Sequence, residues 1–211
     1  MRKSILLSLI LSFLCIVSVS AQQKTFEPIE SDSIEILREK YGNQKIYPGA
    51  YESQFLLALK HYPELKDVTI KLKFSKEKTT MACRPDIGSL FRKKRIYHVY
   101  INDKSQFKGI LLEDVPFNAQ VGVIGHELAH IVDYENKNIF QIIGTGIGYL
   151  FGGYKKRLEH RIDLMTIDHG LGWQLHDWAK FAMYDSKATP KYKLYKKKIY
   201  MGPEKILTLM E

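Results

Sequence analysis

The chain has 211 residues, of which 32 are Lys or Arg and 23 are Asp or Glu, for a formal net charge of +9 at pH 7. This length is sufficient for one domain with a substantial hydrophobic core. A basic surface favours acidic partners, such as anionic lipid, acidic glycans or acidic substrates, and does not by itself indicate nucleic acid.

Residues 1–21 have the pattern of a secretory signal peptide. Arg2 and Lys3 provide a basic start, residues 5–17 are apolar, and Val19-Ser-Ala21 is a small-residue cleavage site. The apolar run is shorter than the roughly 20 residues that span a bilayer, so we expect cleavage rather than an anchor. The mature chain would carry a charge of +7, because only two positive residues are removed. We therefore expect a periplasmic or extracellular protein without a nucleic-acid partner.

The part of the chain after the signal begins with polar residues. Residues 22–47 contain a weak helical segment around 34–38, and they either form a flexible N-terminal arm or pack across the domain. Pro48-Gly49 then opens a helix that Pro63 ends. Its apolar residues are spaced three and four apart, as on one helix face: Tyr51, Phe55, Ala58, Leu59 and Tyr62.

Two segments have the pattern of β-strands. Residues 68–74 alternate apolar and polar side chains, and residues 95–102 are rich in β-branched and aromatic residues. The stretch 79–94 between them reads as a loop. It contains Cys83, the only cysteine left after cleavage, so a disulfide within the mature chain is excluded. We interpret Cys83 as a small buried apolar residue; a thiolate that blocks a metal site is the alternative.

The most informative stretch is a helix predicted at residues 117–135, with Pro116 before it and Asn118 as its N-cap. His126 and His130 are four residues apart and share one helix face, where two imidazoles can bind one metal ion. Glu127 lies one residue further round the helix. Glycines at positions 122 and 125 cost about 1 kcal/mol each relative to Ala, so we expect another backbone to pack very closely there.

The segment His126-Glu-Leu-Ala-His130 resembles the H-E-x-x-H motif of the zincin metallopeptidases. The resemblance implies that both histidines bind Zn²⁺ and that Glu127 is the general base acting on a water that zinc acidifies. In this family a strand just before the zinc helix is the sheet edge that pairs with an extended substrate. The resemblance implies that role for residues 95–102, through main-chain hydrogen bonds.

A catalytic zinc usually has three protein ligands. The metzincin extension is excluded, because Asp133 and Asn136 occupy positions that would need Gly and His. Glu159 and Asp163 instead resemble the Glu-x-x-x-Asp element of gluzincins. The resemblance implies that Glu159 is the third ligand and that the Asp163 carboxylate orients a zinc-bound histidine. The alternatives for the third ligand are His160, Asp163, Asp168, His169 and His176.

A hydrogen-bond donor to the developing oxyanion is also required. We expect His169 in this role, since the following Gly170-Leu-Gly172 could turn it inward; Arg161, Tyr134 and His176 are alternatives.

Residues 139–154 form a run of 16 residues without a charge, in which Gly144, Gly148 and Gly152 recur at every fourth position. The spacing permits close helix contact, but the run is too short to span a membrane comfortably. We expect it to be buried against the domain. The alternatives are a membrane-surface segment, with Lys155-Lys-Arg157 on the lipid head groups, and a flap over the cleft.

These patterns predict an α+β fold, in which a small mixed sheet packs on a helical layer. The predicted regions are a signal peptide (1–21), an N-terminal arm (22–47), a zincin-like domain (48–190) and a basic C-terminal tail (191–211). We expect a monomeric, exported zinc peptidase acting on peptides or proteins, with contact to an anionic membrane surface as a further option. The alternative function is a membrane-surface zinc-binding module without significant turnover.

Overall fold

A computed structural model describes residues 24–211, so the predicted signal peptide lies outside the described residues. The strands in chain order are β1 (Lys45–Ile46), β2 (Thr69–Ser75), β3 (Met81–Pro85) and β4 (Ile96–Asn102). The helices are α1 (Ser31–Tyr41), α2 (Glu52–Leu59), α3 (Phe117–Glu135), α4 (Ile139–Gly148), α5 (Gly152–Thr166), α6 (Gly172–Lys180), α7 (Pro190–Ile199) and α8 (Pro203–Met210).

The sheet is mixed and has the strand order β1-β2-β4-β3. Strands β1, β2 and β4 run parallel, and β3 is antiparallel to β4 at one edge. In β2 the buried Ile70 and Leu72 alternate with more exposed residues, as the sequence pattern predicts for a strand with one covered face. The predicted α+β class, with a small mixed sheet on a helical layer, is confirmed.

Helix α3 runs through the centre of the domain, and its bounds match the predicted residues 117–135. Every residue from Asn118 to Tyr134 is buried, because the helix packs on α2, α5 and α6 as well as on β3. A helix that is apolar on nearly all sides is stable only in such a position. The predicted N-cap is wrong, however. Asn118 lies inside the helix, and its side chain accepts a hydrogen bond from the N–H of Phe26.

The predicted arm and tail both belong to the domain. Phe26 is buried in the core, and β1 adds a parallel strand to the sheet, so residues 24–47 pack across the domain. At the other end, α7, α8 and the turn between them bury Ile199, Met201 and Ile206. Residues 191–211 therefore form part of the domain and not a tail, since one face of these short helices completes the core. Most of their lysines are exposed, but Lys196 is buried.

The prediction that residues 139–154 are buried against the domain is wrong. Helix α4 starts at an Asn138–Gln141 capping box and turns only Ile142 and Thr145 inward. Of the three regularly spaced glycines, Gly144 and Gly152 have open space around them, and a Cβ on Gly148 would meet only the Tyr154 ring. The spacing therefore does not bring two helix backbones together. Within residues 24–211 no helix is both long and apolar enough to cross a membrane.

Candidate metal centre

Helix α3 is held in place by close contacts at its two glycines, with a backbone at Gly122 and with side chains at Gly125. A Cβ on Gly122 would lie 2.1 Å from the backbone oxygen of Gln174 in α6, so only glycine fits there. At Gly125 the carbonyl oxygen accepts a hydrogen bond from the buried hydroxyl of Tyr62 at 2.8 Å. The predicted close approach of another backbone is confirmed at Gly122 but is wrong at Gly125, where a Cβ would meet the Leu171 side chain at 2.5 Å. These contacts fix the helix that carries both candidate histidine ligands.

His126, His130 and Glu159 form a buried group that could hold a metal ion. Their ligand atoms all lie within 4.8 Å of one another. Oε2 of Glu159 is 3.1 Å from Nε2 of His126 and 3.5 Å from Nε2 of His130. Tetrahedral coordination with bonds of about 2.05 Å would place neighbouring ligand atoms about 3.3 Å apart. The spacing and the donor types therefore fit a single small metal ion with little rearrangement.

Asp163 orients His126 from behind. Its Oδ1 lies 2.9 Å from Nδ1 of His126, and its Oδ2 accepts a hydrogen bond from the backbone N–H of Met201 at 3.0 Å. A carboxylate at Nδ1 keeps the proton there and leaves Nε2 free to face the metal position. Burial opposes the charged imidazolium, but the bonds to Asp163 and Glu159 outweigh it and raise the pKa of His126 to about 10 in the metal-free protein.

Tyr149 supports the third candidate ligand. Its hydroxyl donates a 2.6 Å hydrogen bond to Oε1 of Glu159, which leaves Oε2 for the metal position. Burial and the neighbouring Glu159 charge raise the pKa of Tyr149 far above its usual range, so the hydroxyl keeps its proton. The pKa of Glu159 moves the other way: despite burial, its hydrogen bonds to the two histidines lower it well below the ordinary value.

The cluster lies at the wall of a cleft of about 660 Å³. Glu127, His130 and Glu159 line it, whereas Asp163 lies behind the cluster. The Glu127 carboxylate is largely buried, and among residues 24–211 no hydrogen bond or ion pair to it is found. A buried carboxylate that faces a cleft without a protein partner is free to bind water or substrate.

The edge strand beside this cleft is β3, not the predicted residues 95–102. Strand β4 is paired on both sides, with β2 and with β3, so its backbone has no free edge. All five residues of β3 line the cleft. The prediction failed because β3 is short and ends in Pro85, a residue typical of turns. An edge strand tolerates this proline, since its outer N–H groups need no partner.

His169 does not reach the cluster. Its Nδ1 bonds the carbonyl of Met165 and its Nε2 bonds Glu64, each at 2.7 Å, and its ring stacks on Tyr62. Gly170 does form the predicted turn, with φ of +81°, but this turn directs the histidine away from the cleft. The prediction that His169 donates a hydrogen bond to the oxyanion is therefore wrong.

Of the other predicted donors, only Tyr134 lines the cleft. Arg161 pairs with Asp133 at 2.7 Å, and His176 is 3.0 Å from the adjacent Asp177. Tyr200, which the sequence analysis did not single out, lines the cleft beside the His126 ring at 5.7 Å between centroids.

Cys83 also faces the cleft, from β3. Burial, aided by the nearby Glu127 charge, raises the pKa of its thiol well above the ordinary value. The thiol therefore stays neutral, in agreement with its interpretation as a small buried apolar residue and not as a thiolate.

Comparison with family models, with curated proteins and with solved structures finds no match for this chain. The function of the chain is therefore inferred from the geometry of the site.

Proposed function

We propose that this protein is a zinc-dependent peptidase that hydrolyses peptide bonds in the cleft between β3 and α4. The observation that carries the proposal is a two-histidine, one-glutamate cluster with an unpaired carboxylate, Glu127, one residue from the first histidine. A purely structural metal site has no need of such a carboxylate.

The donor set favours zinc. Two imidazole nitrogens and one carboxylate oxygen are a frequent protein ligand set of catalytic zinc, which keeps a further position open. Asp163 and Tyr149 supply the outer hydrogen bonds that such sites usually need. Zinc held by His126, His130 and Glu159 would supply Lewis acidity toward water and the substrate carbonyl.

The other steps would be carried out by side chains and backbone groups that line the cleft. Glu127 takes a proton from the attacking water and delivers it to the leaving amine. Tyr134 and Tyr200 are the candidate donors to the developing oxyanion, because both line the cleft and burial keeps their pKa values high, so both hydroxyls stay protonated. The free edge of β3 can hold an extended peptide through main-chain hydrogen bonds.

The test is Glu127→Gln in the mature chain. We expect this variant to keep its fold and its zinc content but to lose most hydrolysis of a peptide library, as read by mass spectrometry. Glu135→Gln is the matched control, because Glu135 is on the same helix but exposed. Undiminished cleavage by Glu127→Gln would place the chemistry elsewhere.

Metal analysis tests the ligand set separately. About one zinc per native chain, largely lost from Glu159→Ala after the same chelator wash, is the expected result. Retention of zinc by Glu159→Ala would remove Glu159 from the ligand set. If the native chain took up no zinc even after metal was added back, the peptidase proposal would be wrong.

A further inference from the structure

Helix α4 presents an apolar face to solvent. Phe140, Ile143 and Ile147 share the side of the helix opposite to the buried Ile142, and Phe140 is 80% exposed. The face continues into the following turn, where Leu150 is 82% exposed. Scattered apolar side chains on a surface are ordinary, but a contiguous set on one helix face indicates an interaction surface.

A second apolar projection lies in the loop between β3 and β4. Ile87 is 82% exposed and Phe91 is 85% exposed. Leu90 of this loop lines the cleft, and so do Ile143 and Gly146 of α4. The two projections therefore border the same cleft from different parts of the chain.

Each projection is followed directly by exposed basic residues. Arg92, Lys93 and Lys94 follow Phe91, while Lys156 and Arg157 follow the α4 turn on the first turns of α5. Within residues 24–211 none of these five side chains forms an ion pair, so their positive charges are not neutralised by the protein. Apolar side chains beside uncompensated basic ones are typical of segments that lie in the interface of an anionic bilayer.

We propose that the two projections, Ile87–Lys94 and Phe140–Phe151 with the start of α5, dock the rim of the cleft on an anionic lipid bilayer. Apolar side chains enter the boundary between head groups and acyl chains, and the basic residues contact lipid phosphates. A second copy of this chain is a poorer occupant, because a symmetric contact through this rim would bring both sets of positive charges together.

The test is co-sedimentation of the mature chain with vesicles. Phosphatidylcholine vesicles with and without phosphatidylglycerol are compared at low and high salt. We expect binding to the anionic vesicles that weakens with salt, and the double variant Phe91→Ser/Leu150→Ser should bind about tenfold or more weakly. The triple variant Arg92→Gln/Lys93→Gln/Lys94→Gln should lose roughly a hundredfold, at about fivefold per charge.

Ile36→Ser is the matched control, because Ile36 is 64% exposed on α1 and does not line the cleft. It should bind like the native chain, and circular dichroism should give native spectra for all variants. Absence of binding to anionic vesicles, equal binding by the double variant, or equal loss in Ile36→Ser would overturn the proposal. A native dimer that the double variant abolishes, in light scattering without vesicles, would instead assign the rim to a second copy. The assay contains no peptide substrate, so its outcome is independent of whether the site hydrolyses peptides.

Discussion

Asp163→Asn is the substitution that most directly tests the architecture of the metal site. The native carboxylate accepts two hydrogen bonds, from Nδ1 of His126 at 2.9 Å and from the N–H of Met201 at 3.0 Å. Asparagine has one oxygen and one NH₂ group at these positions. In one orientation the NH₂ group faces the Met201 N–H. In the other it faces Nδ1 of His126 and moves the imidazole proton to Nε2, which then cannot bind the metal.

The expected magnitude follows from this conflict. The first orientation brings two buried N–H donors together without an acceptor, which costs about 1–3 kcal/mol in the free energy of unfolding of the metal-free protein. The second avoids this cost without metal, because the Nε2 proton can be donated to Oε2 of Glu159 at 3.1 Å, but it blocks the metal position. Loss of a carboxylate that orients a metal-bound histidine typically lowers metal affinity by about 10–100-fold. We therefore expect a zinc Kd raised within that range, in a protein that still folds.

The assay is a zinc competition titration against a chromophoric chelator, together with urea unfolding of the metal-free protein. Asp133→Asn is the matched control, because it removes a similarly buried carboxylate of α3 that pairs with Lys137 and Arg161 and makes no bond to either histidine. We attribute the orientation of His126 to a specific hydrogen bond and not to the local negative charge. Native zinc affinity in Asp163→Asn, or an equal loss in Asp133→Asn, would refute this.

Three further predictions concern the site and its helix. Tyr149→Phe removes the hydroxyl that donates to Glu159, so zinc affinity should fall about tenfold in the same titration while the fold is retained; unchanged affinity would contradict that role. Gly122→Ala should lower the free energy of unfolding by about 3 kcal/mol or more, since its Cβ would lie 2.1 Å from a backbone oxygen of α6. Gly146→Ala, which has open space, should instead gain up to about 1 kcal/mol, and similar effects of both in urea titrations would refute the packing argument. The pKa of His126 is raised from 6.5 to about 10, because hydrogen bonds outweigh burial. The stabilisation by its proton is therefore complete below pH 6.5 and lost as the pH rises through 10. Since metal must displace this proton, zinc affinity should rise with pH across that window, and a flat profile would contradict the assignment.

The sequence predicted those parts of the site that lie on single helices. The spacing of His126 and His130 fixes both on one face of α3, and the same spacing joins Glu159 and Asp163 on α5. The structure brings these two pairs together, with Oε2 of Glu159 near both Nε2 atoms. Helix periodicity and ligand chemistry are local properties, so they can be deduced from residue order.

Contacts between distant segments could not be deduced in this way. Tyr149 lies in an apolar, glycine-rich run whose pattern indicates helix packing and not a polar site. Tyr200 lies just after a basic stretch whose composition is typical of a tail. The edge position of β3 depends on which strands pair, and its alternation is too short to indicate a strand. The turn predicted after His169 is present at Gly170, but the His169 side chain points to Glu64, 105 positions earlier in the chain. In each case tertiary packing decided the outcome.

The bond from Met201 to Asp163 has a consequence for biosynthesis. The amide that holds this carboxylate, and the Tyr200 ring beside His126, are contributed by residues about 70 positions downstream of α3. During synthesis, His126 and His130 therefore emerge long before the site can be complete. A nascent chain that ends before residue 200 would lack the hydrogen bond to Asp163 and the Tyr200 side chain that lines the cleft. Under the proposed function, this order of residues would delay peptide cleavage until the domain has fully formed.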